Sequence, residues 1–140
     1  MDLSIIIVTY NSEKDIKKCI DSILEKTTGI NYEIVLVDNS SQDNTRQIVK
    51  TIINEHSNIK LIKTENRGFN AGNNIGIRNS TGEFIALLNP DTILLNNAFK
   101  IIIDNMKKYN NVGACGAALY NEDGNLTMSH GVFPNIKETI

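Results

Sequence analysis

Asn89-Pro90-Asp91-Thr92 follows directly on the apolar run Phe84-Ile85-Ala86-Leu87-Leu88. A carboxylate set where a buried strand ends, against a rigid proline, is poorly placed for a core. It is well placed to hold a divalent metal, and through it a diphosphate. The arrangement recurs upstream, where Ile34-Val35-Leu36-Val37 runs into Asp38-Asn39-Ser40-Ser41, and a third polar cluster, Thr9-Tyr10-Asn11, closes the first apolar run of the chain. Together the three suit nucleotide recognition. A carboxylate accepts from a base imide or a ribose hydroxyl, and a tyrosine ring offers a stacking face. Singly, each has a plainer reading: Asp38 as a turn former or helix N-cap, Asp91 as a turn residue after proline, Tyr10 as a packing residue at a strand end.

The elements that must position these residues follow from periodicity. Residues 3–8 form a β-branched apolar run, read as a strand buried on both faces. Ser12 then caps a helix with Glu13 and Asp15 at its positive end, and Ile16, Cys19, Ile20, Ile23 and Leu24 recur on one side of it. Residues 32–37 are a second buried strand, followed by a helix that starts at Ser41 or Asp43 and carries Ile48, Val49, Ile52 and Ile53. Residues 59–62 are a shorter strand. Residues 66–74 read as a polar, glycine-bearing loop that grades into a helix through Ile75 and Ile77. Residues 83–88 give a strand, residues 98–109 a helix with Ile101, Ile102 and Met106 inward, and residues 112–119 a tightly packed strand leading to a turn at Asn121-Glu122-Asp123-Gly124. Regular alternation of apolar strands with helices predicts a three-layer α/β/α fold around a mostly parallel sheet, Rossmann-like. In such sheets ligands settle outside the carboxyl ends of the strands, where the three polar clusters fall.

Composition narrows the partners. The 140 residues fit one domain, and a net charge of −2 gives no general attraction for nucleic acid or an anionic membrane. No apolar stretch approaches the roughly 20 residues needed to span a bilayer, and the start, Met1-Asp2-Leu3-Ser4, lacks the basic region of a signal peptide. Cys19 and Cys115 match no metal-ligand spacing and read as buried free thiols, which points to a reducing, cytoplasmic setting. His56 and His130 read as surface or structural residues. Residues 135–140 stop where another element should begin, so the chain is expected to be a truncated domain.

Four segments, Ser4-Ile5-Ile6-Ile7-Val8-Thr9-Tyr10-Asn11, Ile34-Val35-Leu36-Val37-Asp38-Asn39-Ser40-Ser41, Asn66-Arg67-Gly68-Phe69 and Leu88-Asn89-Pro90-Asp91, resemble in order the nucleotide-binding half of family 2 glycosyltransferases. The resemblance implies a GT-A-type nucleotide-diphospho-sugar transferase fold over residues 1–140, without the acceptor-binding portion that completes the family's domain. It implies that Tyr10 lies against the donor's base with Thr9 and Asn11 shaping that pocket, and that Asp38 bonds the base, a uracil or thymine. Arg67 and Gly68 would border base and diphosphate, and Asn70 and Asn73 would lie near the sugar. Asp91 matches the last acid of the family's Asp-X-Asp motif, which binds Mg2+ or Mn2+ on the diphosphate. Asn89 replaces the first acid and brings no charge.

That Asn-Pro-Asp form is most similar to the branch that moves rhamnose and related sugars onto cell-surface polysaccharides. The implied reaction is an inverting transfer from a UDP- or dTDP-sugar to a saccharide or lipid-linked acceptor, at the inner face of the membrane in a longer protein. The general base is expected beyond residue 140, so the chain by itself is expected to bind donor and transfer poorly or not at all. Two other readings stay open. A nucleotidyltransferase making sugar nucleotides would want a glycine-rich basic loop after the first strand, where Thr9-Tyr10-Asn11-Ser12-Glu13 has neither. A non-catalytic nucleotide-binding module would keep the fold without the activity.

Overall fold

The computed structural model describes residues 1–109 and 111–127. They fall in two compact units that divide after Lys100. The first contains a four-stranded sheet of order β3-β2-β1-β4, made of β1 (Leu3–Thr9), β2 (Tyr32–Asp38), β3 (Ile59–Lys63) and β4 (Phe84–Leu88). All three pairings are parallel, with Thr9 opposite Asp38 and Ile7 opposite Leu88. Helices α1 (Ile16–Lys26), α2 (Thr45–Ile53) and α3 (Phe69–Arg78) make the connections. β1 and β2 are continuous β-branched runs because both faces are covered, and Ile5, Ile6, Ile7, Ile34, Val35, Leu36 and Val37 are wholly buried.

The chain steps from β1 to β2 to β3 in one direction and returns to place β4 on the far side of β1. Right-handed crossovers then put α1 and α2 on one face of the sheet and α3 on the other. Ile6, Val8, Val35 and Val37 form the cluster on the α3 side, with Ile75 of α3 and Ile62 packed against it. This is the expected α/β/α layering. β4 departs from the expected full burial, since Ile85 and Leu87 are 40% and 54% exposed; among the described residues it is an edge strand with one neighbour.

Local expectations needed revision at the starts of two helices. α1 begins at Ile16, not after Ser12. The Ser12 N–H bonds Thr45 Oγ1 and its hydroxyl turns to the Tyr10 carbonyl, so Ser12 joins the helix through its own carbonyl, which accepts from Ile16 N at 3.0 Å. The stretch read as loop from Asn66 to Asn74 is helical from Phe69. Gly68, at φ 87°, turns the chain into α3. Gly72 and Gly76 then lie one turn apart against β1, where a Cβ at Gly72 would come within 2.7 Å of Val8 Cγ1 and one at Gly76 closer still to Ile6 Cγ2. The glycines that suggested a loop are what lets a helix lie flat on β-branched strand residues.

At the amino ends of the strands Glu33, 8% exposed, ties three segments together. Its carboxylate accepts from Ser4 Oγ (2.7 Å), Lys60 Nζ (2.8 Å) and both the amide and hydroxyl of Thr81, while the Gly82 amide donates to Ser4 Oγ. Burial pushes the Glu33 carboxyl up, but these bonds outweigh it and hold the group down at about 2.

Helix α4 (Ala98–Lys108) runs across the boundary between the units, and the second unit adds a short hairpin of β5 (Leu119–Tyr120) and β6 (Leu126–Thr127). The buried residues of α4 are Phe99 and Ile103, spaced i,i+4, whereas Ile101, expected inward, is 53% exposed. Residues 112–118 form no strand and are exposed, Cys115 with them. The expected packed strand and buried thiol at that place are therefore corrected: a run of small residues supplies little apolar surface, and no described strand pairs with it. The turn at residues 121–124 closes the hairpin, with the Asn121 N–H donating to the Asn125 carbonyl. His130 and residues 135–140 lie outside the described residues. Among the described residues no helix is long and apolar enough to cross a membrane.

Candidate functional site

The strand order reverses between β1 and β4, and that switch opens a crevice at the carboxyl ends of the strands. A cleft of about 340 Å³ lies there. Val8, Tyr10 and Ser12 line it from the end of β1, Asn39 from the end of β2, Asn66 and Phe69 from the entry to α3, and Asn89, Pro90 and Asp91 from the end of β4. Tyr10 and Phe69 are 52% and 51% exposed, so each presents ring surface that a planar ligand can cover.

Of the residues expected in a site, Tyr10, Asn89 and Asp91 are brought together in this cleft. Asp38 is not. Strand residues alternate between faces, and Asp38 shares the face of Ile34 and Leu36, away from α3. There it is wholly buried, with Arg46 Nε of α2 donating to Oδ2 at 2.5 Å, the Ser41 amide donating to the same oxygen, and Thr9 Oγ1 donating to Oδ1 at 3.4 Å. Thr9 is likewise fully buried. Both residues brace the strand ends from behind the cleft.

Asn39, one position on, points the other way. It is 3% exposed; its Nδ2 donates to the Gly68 carbonyl at 3.1 Å, and its Oδ1 has no hydrogen-bond partner among the described residues. A buried acceptor left open is costly unless something completes it, and this one belongs to a residue lining the cleft. Strand parity in the sequence sets Asp38 and Asn39 on opposite faces; which of the two meets the cleft follows from where α3 packs. Phe69 carries no such signal, because its place depends on where α3 begins.

The other expected residues lie around the rim. Asn11, in the left-handed region at φ 52°, clasps the β2–α2 loop: its N–H donates to Ser41 Oγ and its Oδ1 accepts from the Gln42 amide. Gly68 reaches the site through its carbonyl on Asn39. Arg67 is exposed and pairs with Glu65 at 3.1 Å. Asn70 is exposed and Asn73 buried, both now on α3.

Asp91 is exposed at the cleft, and beneath its loop lies Cys19 of α1, wholly buried, whose thiol donates to the Asn89 carbonyl at 3.7 Å. Burial first, and the Asp91 charge second, push that thiol up to about 12 against the Thr92 amide, so it stays protonated. Among the described residues no three acidic, histidine or cysteine side chains gather as a metal cage. One exposed carboxylate beside an amide does fit Mg2+ or Mn2+ of the kind that takes most of its oxygens from water and a bound phosphate.

A parallel α/β sheet with this cleft at its switch point has the architecture of the GT-A type. The chain belongs to glycosyltransferase family 2, whose family model, Glycosyl transferase family 2, matches residues 4–139. It is 37% identical over 106 residues to the minor teichoic acid biosynthesis protein GgaA of Bacillus subtilis, covering 72% of this chain and 24% of that one. Among solved structures, it is similar to residues 1–349 of S. aureus TarS in complex with UDP-GlcNAc (TM-score 0.70, 26% identity, 87% of this chain and 39% of that one). It is similar as well to the mannosyltransferase PcManGT of Pyrobaculum calidifontis in complex with GDP-Man and Mn2+ (TM-score 0.70, 25% identity, 85% and 35%). The chain spans less than half the length of each of these relatives.

Proposed function

We propose that this chain is the donor-binding part of an inverting glycosyltransferase that takes a sugar from a nucleoside-diphosphate donor. The acceptor is a saccharide or a lipid-linked saccharide in cell-surface polysaccharide synthesis. The observation that carries the reading is the convergence of Tyr10, Asn39, Asn89 and Asp91 in one cleft at the strand ends. The teichoic acid role in GgaA's name and the UDP-GlcNAc bound to TarS support the class of product and donor.

The residues divide the work. Tyr10 and Phe69 cover the faces of the base, and Asn39 reads its edge. With Nδ2 committed to Gly68, the Asn39 amide offers an acceptor only, which suits the imide N–H of a uracil or thymine. Asp91 and Asn89 would hold Mg2+ or Mn2+, which when bound offsets the charge that grows on the departing diphosphate. Asn89 holds water or a ribose hydroxyl without adding charge, so metal affinity depends on the nucleotide. Among the described residues lining the cleft Asp91 is the one carboxylate, and committed to the diphosphate it is unavailable to the acceptor proton. The general base is therefore assigned to the part of the domain that the longer relatives possess. Within the family, the resemblance of the Asn-Pro-Asp form supports a branch that transfers rhamnose and related sugars.

Calorimetric titration with UDP, dTDP, GDP and ADP, with and without Mn2+, tests this. The expected result is binding of UDP or dTDP that Mn2+ strengthens and that Asp91→Ala weakens to the metal-free level. Equal binding of all four nucleotides, or binding indifferent to metal and to Asp91, would sink the assignment.

A further inference from the structure

Asp91 stands on a connection without regular structure, between the end of β4 at Leu88 and the start of α4 at Ala98. A carboxylate on a loose segment makes a poor partner for a metal, because ordering it costs conformational entropy each time the ligand binds. This segment is held at two points by one face of α1. Near its start, the Asn89 carbonyl accepts from the Cys19 thiol at 3.7 Å and from the Thr92 amide at 3.2 Å, closing a tight turn with Asp91 inside it. Beyond the turn, the Leu94 amide donates to Ser22 Oγ at 3.0 Å. Ser22 Oγ in turn donates to the Cys19 carbonyl at 2.8 Å, so its acceptor faces the loop. Cys19, Ser22 and Leu94 are all buried, and Cys19 and Ser22, three apart on a helix, share a side.

We infer that Cys19 and Ser22 are positioning residues that set the Asp91 carboxylate by pinning residues 89 and 94 to α1. The role as metal partner rests on the donor-site reading above; the pinning does not. Cys19 is thus more than an apolar filler: its thiol is spent on the backbone of the residue two before Asp91. Neither side chain touches the donor.

The test combines hydrogen–deuterium exchange on the ligand-free chain with Mn2+ titration of the UDP-loaded chain, for Cys19→Ala, Cys19→Ser and Ser22→Ala. Amides 91–94 are expected to exchange faster in both alanine variants while β1 and β2 keep their protection. Mn2+ affinity should fall about tenfold, the scale seen when an outer partner of a metal ligand is lost, with metal-free UDP affinity unchanged. Cys19→Ser, which keeps a donor, should recover at least half of the loss. Unchanged exchange at 91–94, an equal loss of protection in β1 and β2, or a serine variant no better than alanine would overturn the inference. If wild type binds UDP without regard to Mn2+ while the loop amides still loosen in the variants, the pinning stands and the metal role of Asp91 falls.

Discussion

Asp38 and Asn39 are adjacent and serve opposite faces of the sheet, so their loss should be read by different instruments. Asp38→Ala leaves Arg46 and the Ser41 amide without their shared acceptor. Because Arg46 is a third exposed and can turn to solvent, losing that acceptor costs about 1–3 kcal/mol, to be seen as a lowered midpoint in urea denaturation. Asn39→Ala removes a cleft-lining acceptor that has no partner among the described residues, together with one bond to Gly68. Its expected signature is about a fivefold loss of UDP or dTDP affinity, with a stability loss near 1 kcal/mol. A reversal of that pattern, with Asp38→Ala stable and unable to bind nucleotide, would return the base-reading role to Asp38.

Among the elements, α3 decides the shape of the cleft, because its first residue, Phe69, lines it and its glycines set its distance from β1. Gly76→Ala would drive a methyl into Ile6 Cγ2, a wholly buried position on a central strand. Overpacking of this kind costs about 1–3 kcal/mol and should lift α3 and Phe69 away from Tyr10. Thermal denaturation would show the first effect and weaker nucleotide binding the second; a stable Gly76→Ala variant with wild-type affinity would mean that α3 yields without cost. The loop expected from Asn66 to Asn74 misled for the same reason: glycine and asparagine are turn formers locally, and only contact with Val8 and Ile6 shows that the glycines are packing surfaces.

For the molecule as a whole, the chemistry gathers at the carboxyl ends of the strands and a polar fastening at the amino ends. Glu33 joins Ser4, Lys60 and Thr81 there, and its carboxyl is held at about 2 against an ordinary 4.5. A depressed folded-state value means that the ionised form favours the fold. The contribution is complete above about pH 4.5 and is lost as pH falls from there towards 2, up to about 3 kcal/mol in all. Urea denaturation at pH 6 and pH 3 should show about 2 kcal/mol of that loss in wild type and a much smaller pH dependence in Glu33→Gln. An equal slope in the two proteins would assign the acid sensitivity elsewhere.

The order of strands and helices, the parallel sheet and the three polar strand ends were legible in sequence, because burial on both faces and helical periodicity are written into short stretches of residues. Tyr10, Asn89 and Asp91 could be named for the same reason. Tertiary structure alone decided which strand-end residue faces the cleft, where α3 begins and which side of α4 is buried. It decided too that residues 112–118 stay exposed. Each of those depends on what a neighbouring element offers: Arg46 to Asp38, Gly68 to Asn39, Val8 and Ile6 to the glycines of α3, and no described partner strand to the small-residue run around Cys115.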